Sequence, residues 1–371
     1  MTAGGDSTGS DRDPPPTVVA FYLPQYHPIP ENDEWWGTGF TEWTNTAKAR
    51  PRFRGHYQPH VPRDLGFYDL RVPETRAAQA AMARDHGVSA FCYYHYWFAG
   101  RRILERPLDE VVASGQPDLP FCVCWANESW TGIWHGAPRR MLIEQSYPGL
   151  DDHRAHFDSL LPSFADRRYL RIDGKPLFMI YQPRQIPDLP RVVDFWRDLA
   201  QKAGLGGLHM VAWHPTDHTL DPRPLGMDAS SSGIPNLRYD WNRPVQKVVA
   251  TALHRLGLPY LYRYADMVAD LLGLEEPAHE RYPCVIPNWD NSPRSGQRGL
   301  VLPGSTPALF RTQVDDAFDR AAKLPVGRRL VFVKSWNEWA EGNHLEPDMR
   351  DGLAYLEVVR DAVRRWGERR N

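Results

Sequence analysis

Apolar residues in this chain are concentrated in eight short runs, which alternate with longer stretches of mixed polarity. Continuous apolar runs bounded by turn residues are typical of strands that are buried on both faces, as in parallel sheets. The pattern therefore predicts eight buried, parallel strands, of which the sixth is the weakest. The runs cover 18–26, 88–98, 120–130, 176–183, 208–215, 227–236, 282–291 and 329–339.

Helix-like stretches separate most of the runs and also follow the last one. Eight strands that alternate with helices predict a (β/α)8 TIM barrel. A doubly wound sheet is the alternative, but no Gly-x-Gly-x-x-Gly turn follows any run, so nothing supports a dinucleotide site of that kind. The predicted helices cover 73–86, 105–114, 151–166, 190–203, 259–273, 305–323 and 352–368.

Segments outside this alternation indicate how the domain is organised. The segments 27–72 and 234–258 are too long for simple loops, and we expect them to decorate one mouth of the barrel. Residues 1–16 are rich in Gly, Ser and Asp and end in prolines, which predicts a disordered leader before a single catalytic domain over 17–371. Because no apolar signal region or membrane-length run of about 18 residues is present, we expect a cytoplasmic protein without membrane insertion.

Charge, cysteine content and aromatic content indicate which classes of partner to expect. The formal net charge is −2, from 44 basic and 46 acidic residues, which argues against a nucleic-acid partner. The 4 cysteines lie in apolar surroundings and are expected to be reduced core thiols rather than a disulfide framework. Aromatic residues make up 12% of the chain, and many stand beside polar groups, a pattern typical of sugar-stacking surfaces.

Chemistry in a TIM barrel lies at the carboxyl ends of the strands. Almost every predicted strand here ends in an aromatic ring beside an amide, imidazole or carboxylate. Rings that stack on sugars, together with groups that bind hydroxyls, predict a carbohydrate pocket with a glycan or glycoside as substrate. The predicted substrate-binding residues are Tyr26, Tyr94, His95, Trp97, Trp125, Asn127, Glu128, Trp130, His214, Asn288, Asp290, Trp336, Asn337 and His344.

Each of these residue types also has a structural interpretation. The tryptophans can plug the barrel mouth, and a single Asn more commonly caps a loop or a helix. Strand-end histidines such as His27, His95 and His214 show neither His-x-His nor His-x-x-x-His spacing with acids nearby. We therefore predict no metal site and no cofactor.

The densest cluster of acids and aromatics, "KSWNEWAEGNHLEPD" (334–348), directly follows the eighth predicted strand. Glu338 and Glu341 are three residues apart, which separates their Cβ atoms by roughly 5–6 Å if the turn is helical. Glycoside cleavage needs two carboxyl groups, about 5–5.5 Å apart for retention and farther apart for inversion. Nearby Trp336 and Trp339 would raise the pKa of one of them. We predict Glu338 and Glu341 as the catalytic pair; helix capping or pairing with an Arg is the alternative.

Four segments carry a family resemblance: "AFYLPQYHPIPENDEWWGTGFTEWTN", "FCYYHYWF", "WANESW" and "WNEWAEGNHLEPD". They look like segments of the WbsX-type proteins of bacterial polysaccharide clusters, which are described as glycosyltransferases and belong to the group similar to glycoside hydrolase family 99. The "WNEWAEG" segment is similar to the catalytic segment of the family 99 endo-α-mannosidases, which are metal-independent (β/α)8 barrels.

The resemblance implies a role for each carboxylate. Glu338 would act as a base on the sugar 2-hydroxyl and assist a 1,2-anhydro intermediate, and Glu341 would be the general acid/base, with net retention. The expected enzyme is thus a retaining glycoside hydrolase or transglycosylase acting on a manno-configured or related glycan. A glycosyltransferase in polysaccharide or glycosylated-metabolite biosynthesis, using the same carboxylates, is one alternative. A non-catalytic sugar-binding barrel is the other.

Overall fold

The fold is seen in a computed structural model, which describes residues 13–132, 137–233, 248, 251–252 and 254–369. Most of the predicted leader 1–16, Asn236 at the end of the weakest run, and most of the segment 234–258 lie outside these residues. Among the described residues, no helix is both long enough and apolar enough to cross a membrane.

Nine parallel strand segments form the central sheet, close to the predicted bounds. Two of them, β7 (Arg281–Tyr282) and β8 (Cys284–Val285), are separated only by Pro283, whose carbonyl oxygen accepts a hydrogen bond from the Phe332 amide at 2.9 Å. Since β7 pairs with β6 (Ala229–Ser232) and β8 pairs with β9 (Leu330–Val333), these two segments share one position, and the barrel closes with eight. The predicted (β/α)8 barrel is confirmed. The segments are β1 (Thr17–Tyr22), β2 (Ala90–Phe98), β3 (Phe121–Trp125), β4 (Lys175–Ile180), β5 (His209–His214), β6 (Ala229–Ser232), β7 (Arg281–Tyr282), β8 (Cys284–Val285) and β9 (Leu330–Val333).

Helices alternate with these strands, and local sequence signals mark several of their ends. Pro73 begins α3 (Pro73–Asp85), and the Thr306 hydroxyl caps α9 (Pro307–Ala321) by accepting the Leu309 amide at 3.2 Å. Gly115 ends α4 (Arg106–Ser114) in the left-handed conformation, with φ 68°. The helices are α1 (Pro30–Trp36), α2 (Glu42–Lys48), α3 (Pro73–Asp85), α4 (Arg106–Ser114), α5 (Leu150–Ala165), α6 (Leu189–Lys202), α7 (Tyr264–Leu272), α8 (Ser292–Ser295), α9 (Pro307–Ala321) and α10 (Ala354–Arg369).

Short strands outside the barrel form pairs in the connecting loops or extend the ends of barrel strands. One of these pairs is a hairpin directly after β9, and it includes both predicted catalytic carboxylates. The short strands are Arg101–Ile103, Trp130–Gly132, Ala137–Ile143, Arg171–Ile172, Tyr260–Leu261, Leu300–Val301, Asn337–Glu338 and Asn343–His344.

Side chains alternate between the barrel interior and the helix layer. The Phe21 ring lies inside, 4.6 Å from the Trp213 ring across the barrel and 5.4 Å from Tyr94. The next residue, Tyr22, points outward and donates its hydroxyl proton to Gln79 of α3 at 2.7 Å. Because Tyr94 lies inside, the odd-numbered residues on either side of it in β2 face the helices.

The helix layer buries large rings against the outer face of the barrel. In α6, the Trp196 ring stacks on Phe178 of β4 with 4.7 Å between ring centres and 26° between planes. Trp196 is 1% exposed, and removing such a ring from a core costs about 3–5 kcal/mol.

The segment 27–72 lies over the carboxyl ends of the strands. It carries α1 and α2, and the Trp43 ring of α2 lies 5.5 Å from the Trp339 ring, which belongs to the hairpin after β9. This position agrees with the predicted decoration of one barrel mouth.

Candidate active site

Both predicted catalytic carboxylates lie on the hairpin that follows β9. The 3-10 turn Trp339–Glu341 joins its two short strands. Gly342 then adopts φ +54°, which L side chains rarely adopt, and a Cβ there would lie 2.9 Å from the Asp290 Cβ. The local conformation thus depends on glycine, and it places Glu338 and Glu341 on one turn at the carboxyl end of the barrel.

Lys334 lies between the barrel interior and Glu338. Its Nζ is 3.1 Å from the Glu338 Oε2 and donates a hydrogen bond to the Tyr94 hydroxyl at 3.0 Å. The ammonium also lies 5.5 Å from the centre of the Tyr94 ring and 5.7 Å from that of Trp289. Lys334 and Glu338 therefore form a buried ion pair.

The charge of Glu338 is set by opposing influences. Burial is the largest of them and raises the pKa of the carboxyl, and the negative charge of Glu341 acts in the same direction. Lys334 and Arg294 act in the opposite direction without cancelling the rise. The pKa of the Glu338 carboxyl is therefore above its usual value, with burial as the main cause.

Arg294 of α8 joins Glu341 to α2. Its Nη1 lies 2.6 Å from the Glu341 Oε1, and its Nε lies 2.7 Å from the Glu42 Oε1. Burial lowers the pKa of the guanidinium, but Glu42 and Glu341 outweigh it and hold that pKa above its usual value. The alternative predicted from the sequence, that Glu341 pairs with an arginine, is therefore observed. Glu341 nevertheless lies on the same turn as Glu338, and residues 338–341 are called the candidate catalytic turn below.

A third carboxylate, Glu128, lies in the same part of the barrel. Gln182 donates a hydrogen bond to its Oε1 at 2.9 Å, and burial raises its pKa, with a further contribution from Glu341. The Tyr181 phenol has a pKa well above its usual value, first because of burial and then because of Glu128, Glu341 and Glu338. Glu128, Glu341 and Glu338 therefore all raise the pKa of the same phenol.

Three predicted substrate-binding residues instead lie on the outer face of the barrel. The Trp97 ring stacks on His156 of α5 at 4.8 Å and donates its indole proton to Asp152. Nε2 of His95 lies 2.8 Å from Nε2 of His156, and the Trp125 ring is 4.6 Å from the same imidazole. Because these are outward positions of β2 and β3, the prediction that His95, Trp97 and Trp125 line the cleft is corrected.

Tyr26, Trp336 and Asn337 are buried beside the hairpin. The Tyr26 hydroxyl donates to the Asn337 carbonyl oxygen and accepts the Trp339 amide at 3.2 Å. The Asn337 side chain exchanges two hydrogen bonds with the backbone of Leu23, at 2.7 and 3.1 Å. Trp336 is fully buried. Tyr26 and Asn337 therefore hold the turn in place by hydrogen bonds, whereas the Trp336 ring lies 5.1 Å from that of Phe91 in β2. A sugar contact by any of the three stays a prediction.

Asn127 and His214 stabilise loops at the strand ends. The Asn127 amide exchanges hydrogen bonds with the Gln182 backbone at 2.8 and 2.9 Å. Nδ1 of His214 accepts the amides of Thr216 and Asp217 at 3.2 and 2.9 Å. Asn127 thus supports this loop, and His214, which is half-buried, keeps one ring nitrogen for a ligand. Substrate contact by either residue stays a prediction.

Asn288 and Asp290 also have partners within the protein. Asn288 accepts the His344 amide at 3.3 Å. The Asp290 carboxylate accepts hydrogen bonds from His56 at 2.6 Å and from Gln58 at 2.5 Å. The buried Asp290 also supports the turn of Glu341, because its amide donates to the Glu341 carbonyl oxygen at 2.6 Å. Substrate contact by Asn288 or Asp290 stays a prediction.

Trp130 keeps a position at which a sugar could stack. It is half-buried, with its ring 5.9 Å from Trp35 of α1 and 5.2 Å from Tyr96, both in edge-to-face geometry. Together with Tyr94 and Glu128, Trp130 remains a predicted substrate contact.

His344 belongs to a group of three buried side chains that are close enough to share a metal ion. The ligand atoms of His60, His344 and Asp348 lie within 4.8 Å of one another. Nδ1 of His344 must donate to the Glu346 carbonyl oxygen at 2.9 Å, which leaves its Nε2 to accept from Nδ1 of His60 at 2.8 Å. These bonds satisfy both facing nitrogens in this arrangement; that no metal binds here stays a prediction. His344 also stacks on Trp339 at 3.8 Å and so supports the turn, while its substrate contact stays a prediction.

Sequence reasoning missed the two cations and Glu42. Lys334 carried a usable signal, since a charged residue ends the apolar run "LVFV". Arg294 and Glu42 carried none, because their contact with Glu341 joins residues that are far apart along the chain.

The fold is similar to those of known carbohydrate-active enzymes. The glycoside hydrolase family 99 endo-alpha-mannosidase from Bacteroides thetaiotaomicron, in complex with bis-tris propane, matches with a TM-score of 0.57 and 14% identity, over 95% of this chain and 97% of that chain. A structure described as a glycoside hydrolase-like protein matches with a TM-score of 0.56 and 15% identity, over 94% of each chain. At such identities these matches show the fold alone.

Proteins related by sequence are more similar to this chain than these structures are. Two proteins named "Uncharacterized protein WxcX", from two strains of Xanthomonas campestris pv. campestris, are each 40% identical to this chain over 362 and 356 residues. The matches cover 95% of this chain but only 50% of each relative, so the chain spans half the length of these curated relatives. The family model described as "Glycosyltransferase WbsX" matches residues 18–359. This chain therefore belongs to the WbsX glycosyltransferase family.

Proposed function

We propose that this protein is a retaining glycoside hydrolase or transglycosylase that acts on a manno-configured or related glycan. The observation that carries the proposal is the position of Glu338 and Glu341 on one turn after the last barrel strand, each paired with a buried cation. Glycoside cleavage requires such a carboxylate pair, and barrels of this kind place their chemistry at this end. Family membership supports the broader class of carbohydrate-active enzyme.

In the proposed reaction, Glu338 removes the proton of the sugar 2-hydroxyl, and the 2-oxygen attacks C1 to form a 1,2-anhydro sugar. Glu341 donates its proton to the departing glycosidic oxygen, so the C1–O bond breaks without releasing an alkoxide. Glu341 then accepts a proton from water or from an acceptor hydroxyl, whose oxygen attacks C1, and Glu338 returns its proton to the 2-oxygen. Two inversions at C1 give net retention.

The ion pairs fit this exchange of protons. When Glu341 is neutral, Arg294 keeps Glu42 as a buried anionic partner, so the guanidinium is not left uncompensated. The scheme uses no metal ion, and treatment with a chelator should leave turnover unchanged.

The leaving group tests these roles. Glu341→Gln should lower turnover by about 10²–10⁴-fold on a substrate with a poor leaving group, because that oxygen needs a proton to depart. An activated aryl leaving group should restore much of the rate. Glu338→Gln should slow both substrates to a similar degree, and a 2-deoxy analogue should not react with the wild type.

The matched control is Glu357→Gln, on an exposed residue of α10, which should react like the wild type. If the better leaving group restored Glu338→Gln instead of Glu341→Gln, the two roles would be reversed. Full activity in both variants would remove the pair from the chemistry.

A glycosyltransferase that uses the same carboxylates is the second candidate, and the family description favours it. Calorimetric titration with sugar nucleotides and with oligosaccharides separates the two, because binding that depends on the nucleotide supports the transferase. Tight glycan binding without turnover, unaffected by Glu338→Gln, would instead support a non-catalytic sugar-binding barrel.

A further inference from the structure

Lys334 is a buried cation in direct contact with the proposed base. Its side chain is 5% exposed and that of Glu338 is 7% exposed, with 3.1 Å between the Nζ and Oε2 atoms. We propose that Lys334 is a positioning residue that holds Glu338 as a carboxylate, and this role rests on the proposed function of Glu338 as a base. A protonated Glu338 could not accept the proton of a sugar hydroxyl.

The position of the ammonium is fixed by other elements of the barrel. Tyr94 of β2 accepts its hydrogen bond at 3.0 Å, and the Trp289 ring lies 5.7 Å away. A buried ammonium requires such partners, because burial strips it of water. Lys334 is therefore held in place independently of Glu338 and can orient the carboxylate rather than follow it.

Two cations and several neutral or acidic groups influence the protonation of Glu338. Burial and Glu341 favour its neutral form, whereas Lys334 and Arg294 favour its carboxylate form. The Lys334 Nζ lies 3.1 Å from the Glu338 Oε2, whereas Arg294 forms ion pairs with Glu42 and Glu341. The titratable groups around Glu338 are Lys334, Arg294, Glu341, Tyr94, Tyr96 and Tyr181.

Removing the ammonium should therefore leave Glu338 protonated. Lys334→Met places an unbranched side chain of similar length at this position but removes the charge. Burial and Glu341 then act on Glu338 without their main opposition. The catalytic consequence is that the acidic limb of the kcat/KM profile moves to higher pH. Below that limb, the rate should fall about tenfold for every pH unit by which the limb has moved.

Infrared difference spectroscopy tests this without any substrate. At neutral pH, Lys334→Met should show the carbonyl band of a protonated carboxyl that is absent from the wild type. The band should disappear in the double variant Lys334→Met/Glu338→Gln, which identifies Glu338 as its source. Lys334→Arg keeps the cation and should show no band.

The absence of this band in folded Lys334→Met would overturn the proposal. If Lys334→Met alone did not fold, the stability of the double variant would decide the question. A double variant more stable than Lys334→Met supports an uncompensated Glu338 as the cause, and equal instability of the two contradicts it. Full activity of Glu338→Gln would refute the proposed function but would leave the infrared result unchanged, so the two failures are distinguishable.

Discussion

At the scale of single residues, Glu346 is a buried acid whose protonation bears on the candidate site. Tyr68, Gln79 and Trp339 donate hydrogen bonds to its carboxylate at 2.9, 2.6 and 2.7 Å. Burial nevertheless raises its pKa to about 7, against which these donors act. Because one of the donors is the indole of Trp339, which lies between Glu338 and Glu341, this acid helps to anchor the candidate catalytic turn.

The raised pKa of Glu346 predicts a pH dependence of stability. Its unfolded pKa is about 4.3. Between about pH 4.3 and the folded pKa of about 7, the folded protein binds more protons than the unfolded chain. The contribution of Glu346 to the free energy of unfolding should therefore fall as pH rises through this window, by up to about 1.4 kcal/mol per pH unit.

Urea unfolding of the wild type and of Glu346→Gln across this window measures the effect, because the difference between the two isolates one group. Gln79 can present its oxygen to the new amide, and the Tyr22 hydroxyl that now donates to Gln79 can rotate to accept. Parallel stability curves for the two proteins would show that Glu346 does not titrate in this range.

At the scale of an element, the hairpin after β9 depends on Gly342. Its φ is +54°, and a methyl group on its Cα would lie 2.9 Å from the Asp290 Cβ, which leaves no room for a side chain. The amide of Asp290 also donates to the Glu341 carbonyl oxygen at 2.6 Å, so the loop that carries Asp290 and the turn that carries Glu341 are joined at this contact. A substitution at Gly342 must move either Asp290 or the turn that carries Glu341.

Gly342→Ala should therefore lower both stability and activity. The left-handed conformation of a non-glycine residue costs about 1–3 kcal/mol, and the clash with Asp290 adds to it. Gly39→Ala is the matched control, because Gly39 has φ +80° but nothing within 4 Å of its Cβ position. Urea unfolding should show a larger loss for Gly342→Ala than for Gly39→Ala, and equal losses would show that the close contact has no effect.

At the scale of the whole molecule, a buried charge network joins three segments that are distant in sequence. Glu42 comes from the decorating segment 27–72, Arg294 from α8, and Glu341 from the hairpin after β9. The side chains are 2%, 13% and 8% exposed, so each charge depends on the others for compensation. The decorating segment is thereby tied to the candidate catalytic turn.

Removing Arg294 should be more harmful than removing Glu42. Arg294→Met leaves two buried carboxylates without their cation, and breaking a buried pair in this way costs about 3–5 kcal/mol. Glu42→Gln removes one of two anionic partners and keeps the Arg294–Glu341 pair. Thermal or urea unfolding of both variants checks the order, and a more stable Arg294→Met than Glu42→Gln would contradict the network.

The barrel itself could be predicted from the amino-acid sequence. Buried strands and helices each produce a local pattern of apolar and polar residues. The run 208–215 therefore predicted β5 at His209–His214, and the stretch 190–203 predicted α6 at Leu189–Lys202. The same alternation located the carboxyl ends of the strands, and with them the turn of Glu338 and Glu341. An apolar run flanked by turn residues has few other stable arrangements.

The tertiary structure decided which side chains face the barrel interior and which face the helices. Trp97 and Trp125 looked like cleft residues from their places at strand ends, but a shift of one position along a strand changes the face, and both lie against α5. The pairing of Glu341 with Arg294 was equally hidden, because an ion pair depends on distance in space rather than along the chain. Local patterns fix the elements, whereas contacts between distant elements fix the charges and orientations on which chemistry depends.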